Sequence, residues 1–408
     1  MTNDVKNVPE IRFPEFDDEW KEKKFYECVE IEGKLVNPNF HEYQNLPHIG
    51  PGNIQKNTGR ILNYNLVKDE NLISGKFEFD EEDIIYGKIN PQLQKICIPG
   101  FRGLASADTY PIKTISGVSN TYFIYYSLFT SRFFKYSVSV SMRTGMPKIN
   151  KEELGSYNFY LPKIMEQQKI GNFFSKLDRQ IELEEQKLAK LEEQKKGYMQ
   201  KIFSQQLGFK DENGNEYPTW QSYKLGNLYK KGKAGGTPKS TESKYYNGEV
   251  PFLSISDITE QGKFIMNTEK SITQEGVDNS TAWLVPVNSI NYAMYASVGY
   301  LSINKIEVAT SQAIFNMVFE DNNLVEYIYY YLNHIRDKGM LEKLVGTGTQ
   351  SNLSASIMKS MYIKLPDYEE MVKITDFLSK VDKLIEKQNQ KIDGLKKRKK
   401  GFLQKMFI

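Results

Sequence analysis

The chain has 408 residues, of which 39% are hydrophobic and 26% are charged, and its net charge is +3. This is the composition of an ordinary soluble protein, and the length suits about two to four domains. No apolar run approaches the ~20 residues of a membrane-spanning helix, and residues 1–16 lack the residue order of a secretion signal. We therefore expect a cytoplasmic protein that does not associate with a membrane.

The few cysteines and histidines argue against a metal centre. Cys28 and Cys97 are far apart in the sequence, and in a cytosolic chain we expect two reduced thiols rather than a disulfide. Neither these cysteines nor His41, His48 and His334 have the spacing of metal ligands. The mildly positive charge permits a nucleic-acid partner without indicating one.

Residues 1–158 have the mixed pattern of an α+β domain. Strand-like runs such as "EDIIYGKI" (82–89) and "KICIPGF" (95–101) alternate with turns, and one tyrosine-rich helical stretch is predicted near 120–138. The tetrapeptide "NPNF" (37–40) is similar to the Asn-Pro-Pro-Phe motif of amino-group DNA methyltransferases. It departs at the third position, and no strand with a glycine-rich cofactor loop precedes it. We interpret it as a turn.

A long helix is predicted within residues 159–206, with Pro162 near its start. Apolar residues recur at alternating steps of four and three, once Glu184 and Lys195 are counted as polar members. This is the spacing of the a and d positions of a coiled coil. The apolar members are Ile170, Phe174, Leu177, Ile181, Leu188, Leu191, Tyr198 and Ile202.

Residues 207–363 again read as an α+β domain. Strand-like runs include "VPFLSISDI" (250–258) and "LVPVNSINY" (284–292), and a helical stretch is predicted near 323–344. The glycine-rich stretches "GKAGGTPKS" (232–240) and "GTGTQ" (346–350) lack the Gly-Lys-Ser/Thr ending of a P-loop. No catalytic constellation stands out, so the sequence indicates no chemistry within this chain.

A second long helix is predicted within residues 364–408. Its heptad members are Ile374, Leu378, Val381, Ile385, Ile392, Leu395, Phe402 and Met406, with Gln388 and Lys399 in the polar slots.

The two helical segments are copies of each other. Residues 161–203 and 365–407 align without a gap at an offset of 204, with about half of their positions identical. Toward the N-terminus the match weakens and the offset slips to 200, where "WKEKKF" (20–25) echoes "WQSYKL" (220–225). The chain is therefore two copies of one unit, each with a divergent front and a closely matched back.

Two amphipathic helices of this length must cover their apolar seams. We expect them to pair with each other in an antiparallel coiled coil, related by a pseudo-twofold axis, although pairing between chains is the alternative. The fold class is then α+β, with two globular domains joined by two long helices. The basic cluster at 396–400 is open to two interpretations: a solvated helix face, or a contact to DNA phosphate or to a partner.

Polar loop residues in both domains are candidates for DNA contact. Asn, Gln, Arg and Lys side chains read base edges. The ammonium group of Lys and the hydroxyls of Ser and Thr hold phosphates. In the first domain the candidates are Lys34, Lys88, Asn90, Gln92, Arg143 and Lys148. In the second domain they are Lys233, Thr237, Lys239, Ser240, Ser256, Tyr292, Gln312, Thr349 and Gln350.

The whole pattern resembles the specificity subunit of type I restriction–modification systems. The resemblance lies in the repeated helices, and "GGTPKSTESKYYNGEVPFLSISDI" (235–258) and "GTGTQSNLS" (346–354) resemble that family's target-recognition domains. In the first domain "GMPKIN" (145–150) keeps only the outline of the latter segment. The matching helix residues are Leu161-Pro162, 166–170, Leu177-Asp178 and Ile181, with counterparts Leu365-Pro366, Glu370, Lys373-Ile374, Val381-Asp382 and Ile385.

This resemblance implies a domain plan and a division of labour. The domains would be target-recognition domain 1 (1–158), a central helix (159–206), target-recognition domain 2 (207–363) and a C-terminal helix (364–408). The chain would read double-stranded DNA and catalyse nothing, with each domain reading one half of a split, asymmetric target. The helices would set the gap between the halves, with half-sites about one helical turn (~34 Å) apart.

The resemblance also implies partners. Two methyltransferase (modification) subunits would carry S-adenosylmethionine and methylate adenine, and two motor–nuclease (restriction) subunits would use ATP and Mg²⁺ for cleavage. None of these cofactors would be bound by this chain. Two other hypotheses are a self-contained DNA methyltransferase or nuclease, and a coiled-coil scaffold whose domains bind proteins rather than DNA.

Overall fold

The structure of the protein is a computed structural model that describes residues 7–31, 33–142, 145–295, 297–341 and 353–408. Its contacts divide the chain into two compact units, Met1–Lys187 with Gln388–Ile408 (unit 1) and Leu188–Lys387 (unit 2). This division passes through both long helices, so each unit contains a segment of each. The domains expected from the sequence are continuous stretches of the chain, whereas unit 1 combines two separate stretches. The expected domain boundaries therefore stay predictions.

The elements of the first half of the chain are eleven strands and four helices within the described residues. The strands are β1 (Lys21–Lys24), β2 (Val29–Glu30), β3 (Lys34–Val36), β4 (Pro47–Ile49), β5 (Asn65–Leu66), β6 (Lys76–Phe79), β7 (Ile84–Gly87), β8 (Ile96–Cys97), β9 (Gly103–Ala105), β10 (Thr109–Thr114) and β11 (Asn158–Leu161). The helices are α1 (Thr121–Ser127), α2 (Ser131–Ser141), α3 (Lys151–Gly155) and α4 (Ile164–Phe203).

The second half of the chain repeats this plan with ten described strands and five described helices. The strands are β12 (Gln221–Lys224), β13 (Lys231–Ala234), β14 (Tyr246–Leu253), β15 (Phe264–Ile265), β16 (Lys270–Ile272), β17 (Ile290–Ala293), β18 (Leu301–Asn304), β19 (Ala309–Thr310), β20 (Ile314–Val318) and β21 (Tyr362–Leu365). The helices are α5 (Ile255–Gln261), α6 (Gln274–Asp278), α7 (Asn322–Asp337), α8 (Ala355–Ser360) and α9 (Tyr368–Lys405).

Within the described residues each unit has three small sheets, of two, four and five strands in unit 1 and of two, five and three strands in unit 2. Unit 1 has β1-β11, β2-β10-β7-β8 and β3-β6-β9-β4-β5, and unit 2 has β12-β21, β13-β20-β17-β18-β15 and β16-β14-β19. In β1-β11, Lys21 is in antiparallel register with Leu161, and in β12-β21 Gln221 is in the same register with Leu365. The weak sequence echo after Trp20 and Trp220 therefore marks the same structural element. It joins the front of each globular domain to the strand leading into a long helix, and the globular domains before α4 and before α9 are called the first and second heads below.

Both long helices end inside hydrophobic cores. In unit 1, Phe174 of α4 and Met406, just after α9, belong to the core built around Trp20 and Phe123. In unit 2, Ile202 of α4 and Ile374 of α9 belong to the core of α7 and the central sheet. Most members of the predicted heptad seams are buried or half-buried, which confirms that these positions face inward.

The two long helices run antiparallel within each unit. In unit 1, Asp178 lies against Lys399 while Glu184 lies against Gln388, so positions ascend along α4 as they descend along α9. In unit 2, Lys195 pairs with Asp382, and the rings of Tyr198 and Phe377 lie 5.0 Å apart. The antiparallel pairing of the helices is as expected, and their supercoiling into a coiled coil stays a prediction.

The tyrosine-rich stretch of the first head differs from its expected form. It contains two helices, α1 and α2, where one was predicted near 120–138. The Thr130 side chain accepts a hydrogen bond from the Phe133 backbone N–H and so caps a new helix at this point. The second head has the single helix α7, whose N-cap is Asp321.

Candidate DNA-reading surface

Three segments of unit 2 meet at one edge of the sheet β16-β14-β19. β14 and β19 are parallel, with Leu253 opposite Thr310, so the chain leaves both strands at the same edge. Ser254 to Ser256 follow the first strand, and Gln312 follows the second. The segment 233–237 reaches the same place, because the Gly236 N–H donates to the Thr310 carbonyl at 2.8 Å.

Predicted DNA-binding residues of the second head are brought together here. Thr237 Oγ1 donates to Gln312 Oε1 at 2.5 Å, which joins two of the loops. Lys233 Nζ lies 3.4 Å from the Thr281 carbonyl and remains exposed on β13. Ser256 is exposed in the first turn of α5, with its hydroxyl 2.8 Å from that of Ser254. Hydroxyl, amide and ammonium groups thus share one exposed surface.

Lys239 and Ser240 continue from this surface along the loop that precedes β14. Both are exposed, and Lys239 lies 3.8 Å from Glu242, an exposed ion pair of little energetic weight. The Tyr246 hydroxyl donates to the Pro238 carbonyl at 2.7 Å and holds the start of this loop. The exposed side chains of Lys239 and Ser240 can therefore turn toward a ligand.

In unit 1 the corresponding parallel strands are β4 and β9, with Ile49 opposite Ala105. Beside their ends, Lys88 Nζ donates to the Ala107 carbonyl, and the Asn90 N–H donates to the Pro147 carbonyl at 2.8 Å. An isolated bridge between Ile89 and Lys148 brings the second lysine to the same place. The predicted residues Lys88, Asn90 and Lys148 therefore form one cluster.

Lys88 and Lys148 repel each other in this cluster, and an anion bound beside them would relieve that repulsion. Partial burial lowers the pKa of Lys88, and the positive charge of Lys148 lowers it further. Gln92 is exposed and extends the cluster, since its Nε2 atom lies 3.4 Å from Oδ1 of Asn90. Asn90 itself has φ 51°, a left-handed conformation that Asn tolerates better than most residues.

Other predicted residues do not join these clusters. Lys34 lies on β3, at the far edge of its sheet, where its ammonium is 3.9 Å from Glu78. Tyr292 is 0% exposed in β17, so its prediction as a DNA contact is wrong for this structure. Both faces of β17 are covered, and the alternating sequence pattern therefore gives it no outward side. Arg143, Thr349 and Gln350 lie outside the described residues.

The basic cluster at 396–400 divides into two groups. Lys396 Nζ lies 2.7 Å from Glu185, and Lys399 Nζ lies 2.6 Å from Asp178. These two lysines therefore bind the other long helix within unit 1. Lys397, Arg398 and Lys400 are exposed, which leaves the open question of a phosphate contact to these three residues.

A polar network that the sequence analysis missed occurs once in each unit. In unit 1 the Tyr126 hydroxyl donates to Asp178 at 2.8 Å, and Lys399 pairs with the same carboxylate. In unit 2 the Tyr330 hydroxyl donates to Asp382 at 2.6 Å, and Lys195 pairs with that carboxylate. Every member is separated from its equivalent by 204 positions. The constant offset was the signal that could have revealed the network from sequence.

Unit 2 adds a further cation to its network. Lys263, whose side chain is 13% exposed, donates to the Tyr330 hydroxyl at 2.7 Å and lies 3.0 Å from Glu326. The Ser379 hydroxyl donates to Glu326 at 2.6 Å. These contacts pair the half-buried charges and join α7 to α9. No sequence pattern indicated Lys263, because its partners are distant in the chain.

The described residues also bear on metal binding, on thiol chemistry and on membrane insertion. Within them, no group of three or more His, Cys, Asp or Glu side chains could hold a metal ion. Cys28 and Cys97 are buried free thiols, and burial raises their pKa to about 11 and about 12. Over the same part of the chain, no helix is both long and apolar enough to span a membrane.

Comparison with known proteins identifies the family. Residues 17–193 and 217–397 match the family described as the Type I restriction modification DNA specificity domain. The match covers most of the chain and falls on both repeats. The chain belongs to this family, and the resemblance found in its sequence is confirmed.

Several curated relatives carry the corresponding name. The Type I restriction enzyme EcoDI specificity subunit of Escherichia coli is 32% identical over 168 residues, which are 41% of this chain and 37% of that protein. The MjaIX specificity subunit of Methanocaldococcus jannaschii is 30% identical over 40% of this chain and 38% of its own length. A putative MjaX specificity subunit of the same organism is 26% identical over 68% and 66%. The chain thus matches less than half the length of the first two relatives.

Solved structures share the fold. The S subunit from M. genitalium has a TM-score of 0.59 at 13% identity, over 98% of this chain and 99% of that chain. A chain from a study of complex assembly and conformational transition of the type I R-M system has the same TM-score at 16% identity, over 94% and 96%. The expected α+β architecture with two repeated domains and long helices is confirmed.

Proposed function

We propose that this chain is the non-catalytic DNA-recognition subunit of a type I restriction–modification complex. Each head reads one half of a bipartite, asymmetric DNA target through the loop clusters described above. One observation carries the proposal. Beside the ends of the parallel strands β4 and β9 in unit 1, and of β14 and β19 in unit 2, the two heads present unlike polar side chains. The first head offers Lys88, Asn90 and Lys148, and the second offers Lys233, Thr237 and Gln312. Unlike side chains favour unlike half-sites.

The proposed assembly assigns the chemistry to other subunits. Two modification subunits dock on the paired long helices and carry S-adenosylmethionine for adenine methylation, and two restriction subunits bring ATP and Mg²⁺ for cleavage. The helices set the number of base pairs between the half-sites. Adenine must leave the duplex to be methylated, and heads that hold DNA on both sides of it suit that step. A complex acting on cellular DNA works in the cytoplasm.

Methylome sequencing tests the proposal. A host without other adenine methyltransferases receives this chain with its modification subunit, and a matched strain receives the modification subunit alone. We expect methyladenine in a motif of two unlike halves with a constant gap, only when this chain is present. A continuous motif, or the same methylation in the matched strain, contradicts the proposal.

Titration of the purified chain with S-adenosylmethionine separates the proposal from a self-contained methyltransferase. We expect no saturable heat of binding by calorimetry. Saturable binding by this chain alone would favour the self-contained enzyme. A gel-shift assay of the complex across a salt series separates the proposal from a scaffold whose domains bind proteins. We expect duplex DNA to bind and its affinity to fall steeply as salt rises, because phosphate contacts are lost. A complex with no affinity for duplex DNA would favour the scaffold.

A further inference from the structure

A row of buried polar side chains crosses the central sheet of unit 2. Asn316 on β20 is in register with Asn291 on β17, which is in register with Ser302 on β18. All three are 0% exposed. Among the residues that the structure describes, the side-chain oxygen atom of each has no hydrogen-bond partner. Buried polar atoms without partners are unfavourable, so this row calls for a functional reason.

The fold itself does not require a polar row. In unit 1 the corresponding strands are β10, β7 and β8, and the residues in the matching register are Pro111, Ile85 and Cys97. Ile85 and Cys97 belong to a buried hydrophobic cluster. The same framework therefore folds with an apolar row, and the polar one belongs to the second head alone.

Asn316 connects the two loops that carry the second head's candidate residues. Its Nδ2 atom donates to the Lys233 carbonyl at 3.2 Å and to Thr310 Oγ1 at 2.8 Å. Lys233 lies on β13, just before one loop begins, and Thr310 ends β19, the strand before the other loop. The residue matching Thr310 in unit 1 is Ala105, opposite Ile49, and an alanine side chain cannot accept this bond.

The loops joined by Asn316 are packed without spare room. A Cβ atom added at Gly235 would lie 2.0 Å from the Thr310 carbonyl oxygen, and one added at Gly236 would lie 2.2 Å from Thr281 Oγ1. Only glycine allows this approach. A shift of Thr310 is therefore passed to 235–237 and to the Thr237–Gln312 hydrogen bond.

We propose that Asn316 is a positioning residue for DNA reading by the second head. It fixes the segment 233–237 against the segment 310–312, so that Lys233, Thr237 and Gln312 meet the DNA in one arrangement. This inference rests on the proposed function. It adds that the second half of the target is read through a pair of loops held by a buried amide, whereas Pro111 occupies the matching register position of the first head.

Two substitutions remove the bond from opposite sides. Asn316→Ala removes the amide, and Thr310→Val removes the accepting hydroxyl while keeping the side-chain shape. Asn291→Ala is the matched control, because Asn291 is the same residue type, equally buried and one strand away, and its amide bonds Ser289 and Asn304 rather than either loop. Thermal unfolding of each purified complex establishes that the chain is folded.

Methylome sequencing of hosts carrying each variant with the modification subunit gives the readout. The half read by the second head is first assigned as the half altered by Gln312→Ala. We expect N316A and T310V to raise methylation at sequences mismatched in that half by about tenfold, the effect of losing one buried hydrogen bond. The other half stays as strict as in the wild type, and N291A leaves both halves strict.

The outcomes separate this inference from the proposed function. A wild-type chain without a split motif overturns the proposed function and the inference together. A split wild-type motif that N316A and T310V leave equally strict overturns the inference alone. Equal relaxation by N291A, or relaxation of both halves, also overturns it, since those results indicate a general loss of stability. If N316A does not fold, T310V decides the test.

Discussion

Glu184 and Gln388 are equivalent residues of the two repeats, 204 positions apart, and they hydrogen-bond to each other. Gln388 Nε2 donates to Glu184 Oε2 at 2.6 Å and to its backbone carbonyl at 2.9 Å. Lys391 Nζ lies 2.5 Å from the same carboxylate, and these two contacts, that of Lys391 first, hold the pKa of Glu184 below its usual range. An amide facing a carboxylate suits this contact, whereas two carboxylates would repel.

Gln388→Glu therefore destabilises the protein at neutral pH. Two facing carboxylates repel each other, which raises the pKa of one of them. The Q388E variant therefore keeps its stability below about pH 4.3 and loses it as the pH rises through this raised pKa. We expect the melting temperature to fall by about 2–4 °C at pH 7 and by less at pH 5, measured by calorimetry.

The reciprocal double variant is the control for this prediction. Glu184→Gln with Gln388→Glu restores one amide and one carboxylate, and Lys187 is the repeat equivalent of Lys391. We expect the double variant to recover most of the lost stability. A double variant as unstable as Q388E would show that the contact does not govern the pairing.

The duplicated tyrosines give a matched pair of substitutions. Tyr126→Phe removes one hydrogen bond to Asp178, and we expect a loss of about 1 kcal/mol. Tyr330→Phe removes a hydroxyl that contacts Asp382, Lys263 and Ser379, and we expect about 2–3 kcal/mol. Hydrogen exchange of the amides of each unit measures the two losses separately. Equal losses would contradict the role given to Lys263.

His334 makes unit 2 sensitive to acid. Burial against the Phe203 ring, 5.2 Å away, lowers the pKa of His334 to about 4, with a smaller contribution from Lys338. The unfolded chain binds the proton near pH 6.5, so stability falls as pH drops from about 6.5 to about 4. We expect His334→Phe to flatten the plot of the urea midpoint of unfolding against pH between about pH 4 and 6.5. An unchanged slope would contradict the assignment.

The first head's lysines differ in their expected effect on DNA binding. Lys88 and Lys148 lie in the loop cluster, whereas Lys34 lies beside Glu78 at another edge. We expect Lys88→Ala and Lys148→Ala each to reduce the slope of log affinity against log salt by about 1. Lys34→Ala is the control and leaves the slope unchanged. A Lys34 effect as large as the other two would place the DNA elsewhere.

Periodicity predicted the long helices well, because a seam at steps of four and three has few alternatives over five heptads. The structure gives α4 as Ile164–Phe203 and α9 as Tyr368–Lys405, within the predicted segments. The loop residues were harder, since which of them meet depends on parallel strand pairs such as β14 and β19 that no local pattern reveals. Tyr292 was misplaced for a related reason, because burial of a strand on both faces is set by distant elements.

The hydrophobic centre of unit 1 has a consequence for how the protein is made. The Phe407 ring lies 5.2 Å from that of Phe123 and 6.4 Å from that of Trp20, and Met406 is buried beside them. These residues follow all of unit 2 in the chain. At about 5–20 residues per second, a ribosome needs on the order of 10–40 s to deliver them after residue 187. The head translated first is therefore completed last, and until then its open core is a natural substrate for chaperones.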